Sequence, residues 1–77
     1  MSLLLFGVAR DITGSPKMEI PPEVRDVQAL RAWLYHQYPA LEQLKTMMIA
    51  VNREYAEDHV QIGQEDEIAI IPPVSGG

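Results

Sequence analysis

The sequence predicts an α+β domain, a β-sheet carrying one main amphipathic helix on one face. Short apolar runs near both ends, one stretch of helical period between them and proline pairs that punctuate the strands all point to it. With 77 residues, 47% of them hydrophobic and 22% charged, the chain suits one folded domain of ordinary globular composition.

Leu3 to Ala9, LLLFGVA, reads as the first strand, closed by a polar loop, RDITGSP, in which Gly14 and Pro16 are breakers. In KMEI the apolar Met18 and Ile20 alternate with Lys17 and Glu19, and Pro21 and Pro22 follow, as in the second strand of a hairpin. From Asp26 the period changes to that of a helix. Val27, Leu30, Leu34 and Tyr38 fall on one stripe with Trp33 beside them, while Gln28, Arg31, Tyr35 and His36 take the rest of the wheel. Asp26 is placed to cap the helix by accepting a first-turn N–H, and Pro39 stops it near Gln37. ALEQL is expected to add a short helical turn, and MMIAVN a third strand. YAEDHVQIGQED is expected to be mostly connection with a brief edge strand, and EIAII a last strand ended by Pro72 and Pro73. The predicted order is β-β-α-β-(β)-β.

Two of these strands break the in-out alternation of a sheet with one wet face. LLLF and AII place apolar groups on both sides, and a helix covers only one. Either the second face simply tolerates exposed apolar atoms, as most surfaces do, or Phe6 and Ile71 belong to a patch that meets a partner. Those two point the same way if Leu5 and Ile70 face the helix.

Several classes of function are excluded by what is missing. With no cysteine, the chain has no disulfide, thiolate nucleophile or cysteine-bound metal of its own. Six Lys and Arg against eleven Asp and Glu give a net charge of −5, the wrong sign for holding a nucleic-acid backbone and better suited to a basic protein surface. The opening apolar run is too short for a membrane span and lacks the basic start of a signal peptide, so a cytoplasmic location is expected. His36 and His59 have no partners at metal-binding spacing and read as surface histidines, and no metal site is expected. Thr13, Ser15, Thr46 and Ser75 have no adjacent base in a nucleophile arrangement, so a self-contained active site is not expected.

The unusual chemistry lies at the end, IIPPVSGG. Pro72 and Pro73 favour an extended exit from the last strand, and the six residues from Pro72 to Gly77 reach at most about 20 Å. Gly76 and Gly77 lack Cβ, so they can thread a narrow channel and present a bare α-carboxylate. The alternative is an idle, frayed tail. A carboxylate is a poor electrophile, but as an acyl-adenylate it becomes reactive, and a sulfur donor can then convert it to a thiocarboxylate.

The pieces LLFGVARDITG, DVQALRAWL, AVNREY and DEIAIIPPVSGG together resemble the MoaD family, the small sulfur-carrying subunits of molybdopterin synthase, over nearly the whole chain. PPVSGG is the most specific of them, because the related thiamine-pathway carriers share the Gly-Gly but typically lack the paired prolines. The resemblance implies a ubiquitin-like β-grasp fold with a mixed sheet, residues 1–71 forming the domain and 72–77 a flexible tail. It implies that a ubiquitin-activating-type (MoeB-type) enzyme adenylates Gly77 with ATP and that a persulfide relay installs sulfur. The tail, anchored by Val74, then enters the large (MoaE-type) synthase subunit and donates sulfur to cyclic pyranopterin monophosphate. No cofactor is implied on the chain itself beyond the thiocarboxylate, and the catalytic acids and bases would belong to the large subunit. Phe6, Tyr55 and Ile71 are implied as the partner surface, and Arg10 as either a structural or a contact residue. The turn before the last strand departs from the family's usual Gly-Asp: Glu65 and Asp66 occupy it, and the glycine lies earlier, at Gly63. A thiamine-type carrier, a modifier joined to lysines through Gly77, and a plain interaction module remain as alternatives.

Overall fold

The computed structural model describes residues 1–44 and 47–71. Strands β1 (Ser2–Leu5), β2 (Lys17–Glu19), β3 (Met48–Val51), β4 (Glu54–Tyr55) and β5 (Ile68–Ile71) form one mixed sheet in the order β2-β1-β5-β3-β4. β1 and β5 run parallel, with Leu3 opposite Ile68 and Leu5 opposite Ile70, and the other three pairings are antiparallel. Helix α1 spans Gly7–Thr13, helix α2 spans Val27–Gln37, and a 3₁₀ turn covers Pro39–Gln43.

The expected core residues of α2 fall where the period places them. Val27, Leu30 and Leu34 are fully buried and join Leu3, Leu5, Ile49, Ile68 and Ile70 of the sheet in one apolar cluster, with Trp33 and Tyr38 packed at its margin. Asp26 Oδ1 accepts the Ala29 N–H at 2.7 Å, as its sequence position suggested. The rest of the helix start is served by the long connection after β4. The Val60 carbonyl accepts the Val27 N–H at 2.9 Å and the Asp58 carbonyl accepts the Gln28 N–H at 3.0 Å. Donors that have no partner within a helix's first turn are thereby satisfied from outside it. Arg31 adds a cross-tie, donating to the Met47 carbonyl at 3.0 Å and to Asp58 Oδ1 at 3.3 Å.

One expected element is wrong. The first strand stops at Leu5 rather than Ala9, and what was read as continuing strand and loop is helix α1. Phe6 is still extended, at φ −125° and ψ 157°, but Gly7 turns the chain at φ +56°, a conformation that costs glycine little. Ala9 is buried and Ile12 half-buried, three apart on one face, so only two residues of the helix carry its period. That is too weak a signal to compete with the apolar run before it. Gly14, read as a breaker, is the left-handed cap at φ +76°, with its N–H on the Arg10 carbonyl at 2.8 Å. β1 and β2 still pair as a hairpin, Leu3 opposite Met18, closed around this helix.

The edge strand β4 follows β3 through a two-residue turn, Asn52 at φ +53° and Arg53 at φ +70°, the twist-matched kind that joins antiparallel strands. Truncating the core should be costly. Leu34→Ala is expected to lower unfolding free energy by about 2 to 5 kcal/mol, measured by denaturant titration, with the sheet-face residues below serving as controls.

Candidate functional site

The sheet divides its residues strictly between two faces. Leu3, Leu5, Ile49, Ile68 and Ile70 point to the helix and are buried. Leu4, Ala69 and Ile71 point the other way and are half-buried. Register then lines these up: Leu4 is opposite Ala69, Ala69 opposite Ala50, and Ala50 opposite Tyr55, a row across four strands. In the adjacent row Met48 is opposite Ile71, with Phe6 following Leu5, the register partner of Ile70.

Side-chain size turns this face into a groove. Ala50 and Ala69 make a low floor between Leu4, Phe6 and Ile71 on one side and Tyr55 on the other, leaving a hollow of about 400 Å³. Phe6 is 51% exposed and Tyr55 67%, and Met48 is exposed beside them. Scattered exposed apolar residues are ordinary, whereas here they stand together around one groove. The three residues expected at a partner interface, Phe6 between β1 and α1, Tyr55 on β4 and Ile71 on β5, are therefore brought together. Arg10 stands one helical turn beyond Phe6, its N–H 3.4 Å from the Phe6 carbonyl, and does not line the groove. Pro72, Pro73, Val74, Ser75, Gly76 and Gly77 lie outside the described residues, and the last described residue, Ile71, is on the groove wall.

Charge enters at the end of the groove away from Ile71. Arg53 and Glu67 line it there, with Nε and Oε2 3.8 Å apart. Sequence reading missed both, along with Leu4, Ala50 and Ala69 as groove residues. The broken alternation of LLLF and AII was the signal for Leu4 and Ala69. Behind this rim a clasp holds the β3–β4 turn against the entry to β5. Asn52 Nδ2 donates to Asp66 Oδ1 at 2.9 Å, Asn52 Oδ1 accepts the Glu67 N–H at 2.9 Å, and Asp66 Oδ2 accepts the Gly63 N–H at 2.7 Å. The turn that departed from the family pattern is thus built around Asp66, with Gly63 supplying a backbone donor.

Among the described residues no set of three or more His, Cys, Asp or Glu could hold a metal ion. His59 is exposed with only Glu57 near it, Nδ1 to Oε2 3.6 Å, and His36 is exposed in the last turn of α2. No described helix is long and apolar enough to cross a membrane.

A profile described as the ThiS family matches residues 3–77. The molybdopterin synthase sulfur carrier subunit of Caenorhabditis elegans is 40% identical over 81 residues, an alignment covering 100% of this chain and 96% of that protein. Among solved structures, SAMP1 of Haloferax volcanii superposes with a TM-score of 0.81 at 26% identity, over 99% of this chain and 97% of that one. A chain of the complex of subunits 1 and 2 of molybdopterin-converting factor from Helicobacter pylori superposes with a TM-score of 0.70 at 27% identity, over 99% and 96%. These neighbours share the ubiquitin-like β-grasp arrangement and its mixed sheet.

The clasp carries a pH signature. The Asn52 amide, and after it the Gly63 N–H, hold the Asp66 carboxyl below its ordinary value of 3.8. A carboxyl lowered by folding adds stability that is fully present above the unfolded value and is lost as pH falls through the folded one. NMR titration of the Asp66 carboxyl should show a midpoint below 3.8, and Asp66→Asn should flatten the acid limb of the stability profile. An ordinary midpoint would mean the clasp does not hold in solution.

Proposed function

This chain belongs to the ThiS family, and we propose that it is the sulfur-carrier small subunit of molybdopterin synthase, working through the Gly77 carboxylate. The observation that carries the reading is the position of the groove. Its wall ends at Ile71, and the next residues in the chain are PPVSGG. Residues 1–71 serve as the platform and 72–77 as the delivery arm, so a protein seated on the groove has the arm within its reach.

The chemistry follows from what the chain lacks. With no cysteine, sulfur has to be carried on the backbone carboxyl. An adenylating (MoeB-type) enzyme joins the Gly77 carboxylate to the AMP moiety of ATP, releasing pyrophosphate. The terminal sulfur of a donor persulfide displaces AMP to form an acyl disulfide, and a thiol then cleaves its S–S bond, leaving a disulfide and the thiocarboxylate. Its sulfur is the nucleophile that attacks cyclic pyranopterin monophosphate in the large subunit, after which water restores the carboxylate. A dithiolene holds two sulfur atoms, so two loaded chains are consumed for each one built. The groove formed by Phe6, Tyr55 and Ile71 docks each partner in turn, Val74 anchors the arm in the large subunit, and Arg10 contacts the partner from the flank of α1. The likeness to a subunit of the Helicobacter pylori complex supports a large-subunit partner. A cytoplasmic site of action fits these partners.

A second reading has one observation in its favour, the likeness to an archaeal modifier protein. On that reading a lysine amine intercepts the same adenylate, and Gly77 ends in an isopeptide bond.

Intact-protein mass spectrometry after incubation with ATP, the activating enzyme and a sulfur donor should show one oxygen replaced by sulfur. Deleting Gly77 or appending one residue should abolish that change while the fold is kept. Lysine conjugates in place of the thiocarboxylate would favour the modifier reading. For the docking face, Phe6→Ala or Ile71→Ala should weaken association about tenfold or more while destabilising the fold far less than Leu34→Ala. Calorimetry of binding beside thermal unfolding separates the two effects.

A further inference from the structure

We propose that Arg53 is the register pin of the docking face: its guanidinium pairs with a carboxylate on the large synthase subunit that covers the groove, at the end remote from Ile71. The inference rests on the docking reading above and adds which charge the partner must bring, and where.

The backbone at Arg53 does not call for an arginine. The residue sits at φ +70° in a two-residue turn, where glycine or asparagine is the low-strain choice and a long side chain is held at a cost. What the position provides is the side chain itself, 85% exposed and lining the groove. The chain as a whole is acidic, with a net charge of −5, yet the cation among the groove's lining residues stands at one chosen end. Its neighbour Glu67 is 3.8 Å away, an ion contact longer than a hydrogen bond, so the planar fork of donors is still open to a bidentate carboxylate.

A partner that covers the apolar floor also takes the guanidinium out of water. A buried charge is stable only when its donors are hydrogen-bonded, and a single contact without a hydrogen bond does not meet that need. A carboxylate from the covering surface does. From Glu67 to Ile71 the strand advances roughly 13 Å, so the groove has a charged end and a tail end. Fixing both ends sets the distance at which the tail meets the partner's channel, which apolar contact alone leaves free to slide. The clasp of Asn52 and Asp66 holds the turn from behind and keeps Arg53 on the rim.

The test uses the full chain with the purified large subunit of molybdopterin synthase, and measures affinity at low and high salt. Arg53→Gln and Arg53→Glu should each lower affinity about tenfold or more at low salt, and most of that loss should remain at high salt, because a pair taken out of water is screened little. Arg53→Gly should match or exceed the wild-type unfolding temperature, because it relieves the positive φ, and still lose the affinity. That combination separates a contact role from a structural one. Wild-type affinity for Arg53→Gln and Arg53→Gly at every salt concentration overturns the pin. If Phe6→Ala weakens binding in the same assay, the docking reading survives that result; if Phe6→Ala is also silent, the docking face itself is rejected.

Discussion

The parallel pairing of β1 with β5 is the constraint on which the rest of this molecule depends. It joins the two ends of the chain, Leu3 beside Ile68 and Leu5 beside Ile70, and so closes the core under α2. Parallel neighbours cannot be linked by a tight turn, so everything between them must cross over. That crossover is α2 with its flanking segments, and the same helix supplies Val27, Leu30 and Leu34 to the cluster that the two strands need to bury. One pairing thus sets the topology and the composition of the core.

The outer face follows from the inner one. Because side chains alternate along a strand, fixing Leu5 and Ile70 inward forces Leu4, Ala69 and Ile71 outward. Apolar surface left in water forgoes about 25 cal/mol for each Å² not buried, so the exposed rings of Phe6 and Tyr55 are a cost that the isolated domain bears. Small side chains at Ala50 and Ala69 shape that surface into a trough rather than a bulge, which gives a partner something to fill. Ile71, the last described residue, lines the same trough.

Polar groups organise the margins of this apolar design. The long connection from Ala56 to Glu67 has little regular structure, yet its carbonyls at Asp58 and Val60 cap α2 and its Asp66 ties the β3–β4 turn to β5. Those carbonyls pair backbone donors that the first turn of a helix leaves without partners of its own. The connection is therefore held by two elements, and it holds Arg53 in place in return. The chain carries no cysteine, and among the described residues no group of three or more His, Cys, Asp or Glu could hold a metal ion.

The sequence by itself determined the α+β class, the span and buried stripe of α2, its Asp26 cap, the strands around Met18, Ile49 and Ile70, and the family, through the string ending in PPVSGG. Each of these depends on local spacing or local chemistry, which a linear string records. It also hinted at the groove, because LLLF and AII are too apolar for strands with one wet face. Only the tertiary structure decided that β1 runs parallel to β5, that Gly7 turns the chain into α1, and that Arg53 and Glu67 join Phe6, Tyr55 and Ile71 on one surface. Residues far apart in the chain become neighbours through strand register, and register is settled by the shared burial of a whole face rather than by any one segment. Helix α1 was hidden for the related reason that two core-facing residues, Ala9 and Ile12, make a period only when the sheet beneath them is already in place.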